Sequence, residues 1–101
     1  MAKQVKITVV KRDLYKDLVE EYAADKSLTA CGLFEDGQVF ILDGANKPDG
    51  FCSWAWADIH RDVIGILFGA TYNWIKQKGT VITCCTDGLR PVTFKIECIG
   101  E

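Results

Sequence analysis

The sequence predicts an α+β fold of order β-α-β-α-β-β, with two helices packed on a mostly antiparallel sheet of four or five strands. Three observations carry that prediction. Residues 4–11, QVKITVVK, put Val5, Ile7 and Val9 on one face and Lys6 and Thr8 on the other, which is the alternation of a half-buried strand. In GFCSWAWADIHRDVIGILFG, residues 50–69, Ala55, Ile59, Val63, Ile66 and Leu67 recur at helical spacing. Near the C-terminus, Val81 to Cys85 and Val92 to Ile99 are two strands joined by TDGLRP, a loop of turn-forming residues.

After the first strand, Asp13 is a candidate cap for a helix over about residues 14–24, with Leu14, Leu18 and Tyr22 along one stripe and Tyr15 and Val19 widening it. Asp25-Lys26-Ser27 ends it. Asp36-Gly37 is a turn signal. The following Val39-Phe40-Ile41-Leu42 is apolar on both faces, the mark of a central strand, and Gly32 to Phe34 could pair back on it as a short arm. Pro48-Asp49-Gly50 is a turn leading to the central helix, expected from Ser53 to Phe68, with Ser53 or Asp49 as its cap and Gly69 as its stop. Residues 70–79 show no period and are expected to form turns, with a single helical turn at most around Trp74. In the last strand Val92, Phe94, Ile96 and Cys98 face one way and Thr93, Lys95 and Glu97 the other. Strand order is not readable from these patterns.

The 101 residues are expected to form one domain, with a core but little stability to spare. A net charge of −2 and a pI near 5.3 give no electrostatic footprint for nucleic acid. The basic cluster Lys3, Lys6, Lys11, Arg12 and Lys16 is interrupted by Asp13 and Asp17, which makes it a solvated face. No apolar segment reaches membrane-spanning length, and the alternating start is unlike a signal peptide, so no membrane association is expected and the location read from the sequence is cytoplasmic.

Chemistry centres on five cysteines. In a reducing compartment they are thiols, metal ligands or redox groups rather than structural disulfides. Cys98 shares its face with Phe94 and Ile96 and reads as an apolar filler. Cys84 and Cys85 are adjacent in a strand, must point to opposite faces, and can contribute only one member to any site; Cys85 is nearer the turn. Cys52, at or just before the start of the central helix, sits where orphan N–H groups and the macrodipole favour a thiolate. Cys31, Cys52 and Cys85 thus each lie near an element boundary. If those boundaries meet, three sulfurs with one further ligand make a tetrahedral zinc site, or hold an iron–sulfur cluster with one iron open. Their intervals of 21 and 33 residues match no standard metal motif. The plain alternative is three separate small core residues.

Four segments, VKITVVKR, CGLFEDGQVFILDG, GFCSWAWADI with its apolar helix ending FG, and CCTDGLRPVTFKIE, give the chain a resemblance to a family of small, uncharacterised bacterial and archaeal proteins of about this length. That resemblance singles out Cys31, Cys52 and Cys85, the last in a Cys-x-Asp setting matched by Cys85-Thr86-Asp87. Where many members place a histidine soon after the first cysteine, this chain has Phe34 and Glu35. The family supplies no reaction.

Other polar residues rank lower. His60 is eight residues from Cys52, about 12 Å along a helix, too far for a dyad or a shared metal, and reads as structural. Asp58 reads as solvated or paired near Arg61, Asp87 as a turn former, and Arg90 as a partner for an acid. Trp54 and Trp56 cannot both face inward, so one is left to a ligand or an oligomer contact, or to cover by neighbouring loops. No phosphate-cradling loop or Ser/His/Asp set is present.

The function expected is a small protein binding zinc or an iron–sulfur centre through Cys31, Cys52 and Cys85. The alternative is an interaction or oligomerisation module, compatible with a dimer or trimer, whose cysteines are structural. A thiol redox or nucleophile enzyme using Cys52 ranks third.

Overall fold

The computed structural model describes residues 3–100. Its elements are β1 (Gln4–Arg12), α1 (Lys16–Tyr22), β2 (Val39–Leu42), α2 (Ser53–Leu67), β3 (Thr80–Cys84) and β4 (Val92–Ile99). The four strands form one antiparallel sheet in the order β2-β1-β4-β3, an α+β architecture as the alternation of apolar and polar residues predicts.

The two central strands dominate the core. Val5, Ile7 and Val9 of β1 and Val92, Phe94 and Ile96 of β4 are fully buried on one face of the sheet, with Ile7 paired to Ile96 and Val9 to Phe94. Onto this face α2 packs across β1, β3 and β4, presenting Ala55, Ile59, Val63 and Ile66 at the spacing of one helical stripe. Apart from Ala55, each of these buried aliphatic or aromatic side chains contributes about 1.5–3 kcal/mol. The register of β1 on β4 shifts between Val9 and Lys11, a bulge at Val10 that carries the strand on to Arg12.

The central helix begins at Ser53 as expected, but neither Ser53 nor Asp49 caps it. Cys52 itself is the N-cap residue, in extended conformation and with no side-chain capping bond. The helix stops as expected at Gly69, whose φ of +91° is open to glycine and strained for other residues. There Gly69 N–H donates to Ile66 O and Ala70 N–H to Gly65 O, the paired bonds of a Schellman stop.

Three local expectations are corrected. Val39–Leu42 is an edge strand, not a central one: it pairs only with β1, and Val39 and Ile41 are exposed on the sheet face away from α2. An apolar run looks the same whether its second face is covered or open, so the run alone did not reveal the edge. The first helix is shorter than its pattern, Lys16–Tyr22, and buries Val19 while Tyr22 is exposed. Its start is tied elsewhere: Asp13 N–H donates to Pro91 O and Tyr15 N–H to Leu89 O, so chain leaving β1 follows the β3–β4 loop before the helix begins. The segment Gly32 to Phe34 forms no strand arm. Phe34 instead drops into the core at 2% exposure, edge-on to Phe40, Phe51 and Phe94.

Candidate functional site

Cys31, Cys52 and Cys85 line one pocket of about 420 Å³ at the end of the sheet where β1 finishes, α2 begins and β3 runs into its hairpin loop. Phe34, Ala55 and Val92 form apolar wall, and Thr86, Asp87 and Arg90 bring polar groups to it. Residues 21 and 33 positions apart along the chain thus face a common space, and each arrives there by a different device.

Cys31 sits in irregular chain and is pinned through its backbone. Arg12, the last residue of β1, donates from Nη1 to Cys31 O at 3.0 Å and from Nε to Asp36 Oδ1 at 3.1 Å, so one guanidinium anchors both ends of this loop. Phe34 then serves as the loop's apolar foot. Cys52 is fixed by the helix it starts and by Phe51, buried beside it.

Cys85 follows the last residue of β3. Its N–H donates to Val92 O, and the N–H of Val92 donates to Cys85 Sγ at 3.3 Å. A backbone donor aimed at sulfur suits a thiol acting as acceptor or ligand. Cys84 points the other way and is exposed, as adjacent positions in a strand require. Cys98 is partly buried against the core and is not among the residues lining the pocket.

The hairpin loop is held down on α2 by one residue. Thr86 N–H donates to Asp58 Oδ2 at 2.7 Å, Thr86 Oγ1 donates to the same carboxylate at 2.9 and 3.1 Å, and Trp54 Nε1–H donates to Thr86 Oγ1 at 3.2 Å. Asp58 is half-buried and its carboxylate is taken up by Thr86, 28 residues away, rather than by Arg61, which corrects the sequence reading. Trp54, 65% exposed, stands beside the pocket with its indole N–H committed to Thr86. Trp56 turns inward against Phe51, so the two tryptophans divide as their spacing requires.

Asp87 and Arg90 pair at 3.2 Å. Burial raises the Asp87 pKa, but the N–H groups of Leu89 and Arg90 and the Arg90 guanidinium outweigh it and hold the carboxyl below its ordinary range. The polar side of the pocket is thus a closed ion pair rather than a free charge. His60 lies apart from the pocket: its ring packs over Trp56, and Nε2 is 3.1 Å from Ala45 O, the structural role expected of it.

The three cysteines reach one pocket without closing around an ion. Among the described residues, no three His, Cys, Asp or Glu side chains are gathered closely enough to hold a metal ion. Asp87, which lines the pocket, and Asp58, which holds Thr86 beside it, are both occupied by internal donors, which leaves the three sulfurs as the pocket's candidate ligand atoms.

The sequence does not single out Arg12, Phe34 or Thr86, although Arg12 holds the carbonyl of Cys31, Phe34 is the buried foot of the same loop, and Thr86, bonded to Asp58, holds the chain next to Cys85. Only the Cys85-Thr86-Asp87 motif hinted at Thr86, and nothing local pointed to Arg12. Among the described residues no helix is long and apolar enough to cross a membrane. No family model, curated protein or solved structure matches the chain.

Proposed function

We propose that this protein binds a metal centre through the thiolates of Cys31, Cys52 and Cys85. The observation that carries the reading is the shared pocket: three cysteines from three separate parts of the chain line one space of about 420 Å³. An all-sulfur donor set selects zinc or iron–sulfur chemistry over the hard, oxygen-seeking cations. Of these two, the iron–sulfur centre asks less of the chain. A single zinc needs every sulfur at about 2.3 Å from one point, whereas a cluster gives each thiolate its own iron and lets the sulfurs stand apart. Three thiolates leave one iron of a four-iron cluster for another ligand. The Val92 N–H directed at Cys85 Sγ is the kind of hydrogen bond by which a protein tunes such a centre.

The test is metal and acid-labile sulfide analysis of untagged protein purified without oxygen, together with its absorption spectrum. One centre per chain, lost on Cys52→Ser, is the expected result. Iron with sulfide and visible absorption identifies the cluster, and colourless protein with one equivalent of zinc identifies the single ion. Metal-free protein of full stability rejects the reading.

A second reading has its own observation. Leu33 and Trp54, both 65% exposed, flank the pocket and offer apolar surface to a protein partner or to a second copy of the chain. Light scattering on the parent and on Trp54→Ala tests it. A dimer or trimer that dissociates in the variant supports an interaction module, and a monomer in both, with unchanged partner binding, counts against it.

A further inference from the structure

We propose that Asp58 is a positioning residue for the thiol pocket, holding Thr86 so that the neighbouring Cys85 is presented across the pocket to Cys52. This rests on the reading of that pocket as a thiolate site, but it concerns the chain's own geometry.

Cys52 and Asp58 are six residues apart on α2, about 9 Å along one rigid helix. Cys85 and Thr86 are consecutive. Fixing Thr86 to Asp58 therefore fixes Cys85 relative to Cys52, although no bond joins the two cysteines directly. The tie consists of several bonds. The carboxylate takes the Thr86 amide at 2.7 Å and the Thr86 hydroxyl at 2.9 and 3.1 Å, and the hydroxyl takes the Trp54 indole N–H at 3.2 Å. Bonds to an ionised acceptor are about twice as strong as neutral ones. Every group in the chain of contacts is used as its chemistry allows: two donors on the carboxylate, and one donor on the hydroxyl oxygen. The tie also lies outside the hydrophobic core, since Thr86 is exposed. A polar network at that place is not required to bury apolar surface, and what it does secure is the position of the loop that carries Cys85.

The experiment uses the full chain with Cys31→Ser and Cys84→Ser, so that Cys52 and Cys85 are the pocket's remaining thiols, and phenylarsine oxide as the probe. Arsenic in this reagent forms two As–S bonds with two neighbouring thiols and releases one water. The expected result is one arsenic per chain by mass spectrometry, abolished when either Cys52 or Cys85 is also replaced by serine. Thr86→Val should weaken that binding about tenfold through loss of the hydroxyl's bonds, Thr86→Ser should restore it, and Asp58→Asn should weaken it as well. Circular dichroism and urea midpoints confirm that each variant is folded; if Thr86→Val does not fold, Asp58→Asn decides. Binding in Thr86→Val and Asp58→Asn equal to the parent overturns the proposal, as does arsenic uptake that does not need both Cys52 and Cys85. The probe does not depend on a native metal. Metal-free protein with Asp58-dependent arsenic binding rejects the metal centre and keeps the positioning role, while a metal centre unchanged by Asp58→Asn does the reverse.

Discussion

The backbone N–H of Thr86 and the Oδ2 of Asp58 are 2.7 Å apart, which joins the start of the central helix to a hairpin loop 28 residues further along the chain. Replacing Asp58 by alanine removes the acceptor for both Thr86 donors. We expect a loss of about 1–2 kcal/mol, towards the lower end for bonds to charged groups because water reaches exposed Thr86. Urea unfolding of Asp58→Ala against the parent measures it, and an unchanged midpoint would show that the tie does not contribute to stability.

Phe34 is the apolar anchor of the loop that carries Cys31. It is buried and meets three phenylalanine rings within 6.1 Å between centroids. Phe34→Ala should cost about 3–5 kcal/mol, the range for an aromatic truncated in a packed core. Hydrogen exchange should show residues 31–38 opening before the sheet does. Uniform loosening of the whole molecule would mean that Phe34 belongs to the general core and does not anchor the loop.

Asp87 makes stability depend on acid. Its folded pKa lies below the ordinary 3.8, because the Leu89 and Arg90 donors and the Arg90 charge outweigh burial, which pushes the other way. The carboxylate therefore contributes stability that is complete above the unfolded-state value of about 3.9 and is lost as pH falls through the lower folded pKa. Urea midpoints followed from neutral to about pH 2 should fall less steeply at the acid end in Asp87→Asn than in the parent. Parallel curves would remove Asp87 from the acid response.

Tyr72 and Gly65 are coupled at the far end of the helix. The Tyr72 hydroxyl donates to Asp62 Oδ1 at 3.3 Å, and a Cβ on Gly65 would stand 3.1 Å from that same hydroxyl. Burial first, and then the Asp62 charge and hydrogen bond, raise the Tyr72 pKa. Stability from this group is whole below the unfolded value of about 10 and is lost as pH rises through the folded one. Alanine for a helical glycine is worth up to about 0.8–1.0 kcal/mol, an upper bound for Gly65 because it lies in the last turn of α2. We expect that gain for Gly65→Ala in a Tyr72→Phe background and a smaller one, or a loss, with Tyr72 intact. Four thermal unfolding curves complete the cycle; equal effects in both backgrounds would show that the hydroxyl is not the obstacle.

Elements whose signals are local are legible in the chain's residue pattern. Alternation set β1 and β4 as half-buried strands, helical spacing chose Ala55, Ile59, Val63 and Ile66 as the inward stripe of α2, and Gly69 marked its stop. The pattern also identified Cys31, Cys52 and Cys85 as the cysteines at element boundaries and separated Cys85 from Cys84 by the geometry of a strand. Which distant groups meet is settled by the fold. An apolar run such as Val39–Leu42 carries no record of whether a second strand will cover it, so its place at the sheet edge follows from pairing with β1 alone. In the same way Arg12 holding the carbonyl of Cys31, and Asp58 holding Thr86, are contacts between positions whose spacing along the chain obeys no period. Local patterns arise from backbone geometry that repeats every two or 3.6 residues. The pocket arises from packing, which brings together side chains that no repeat relates.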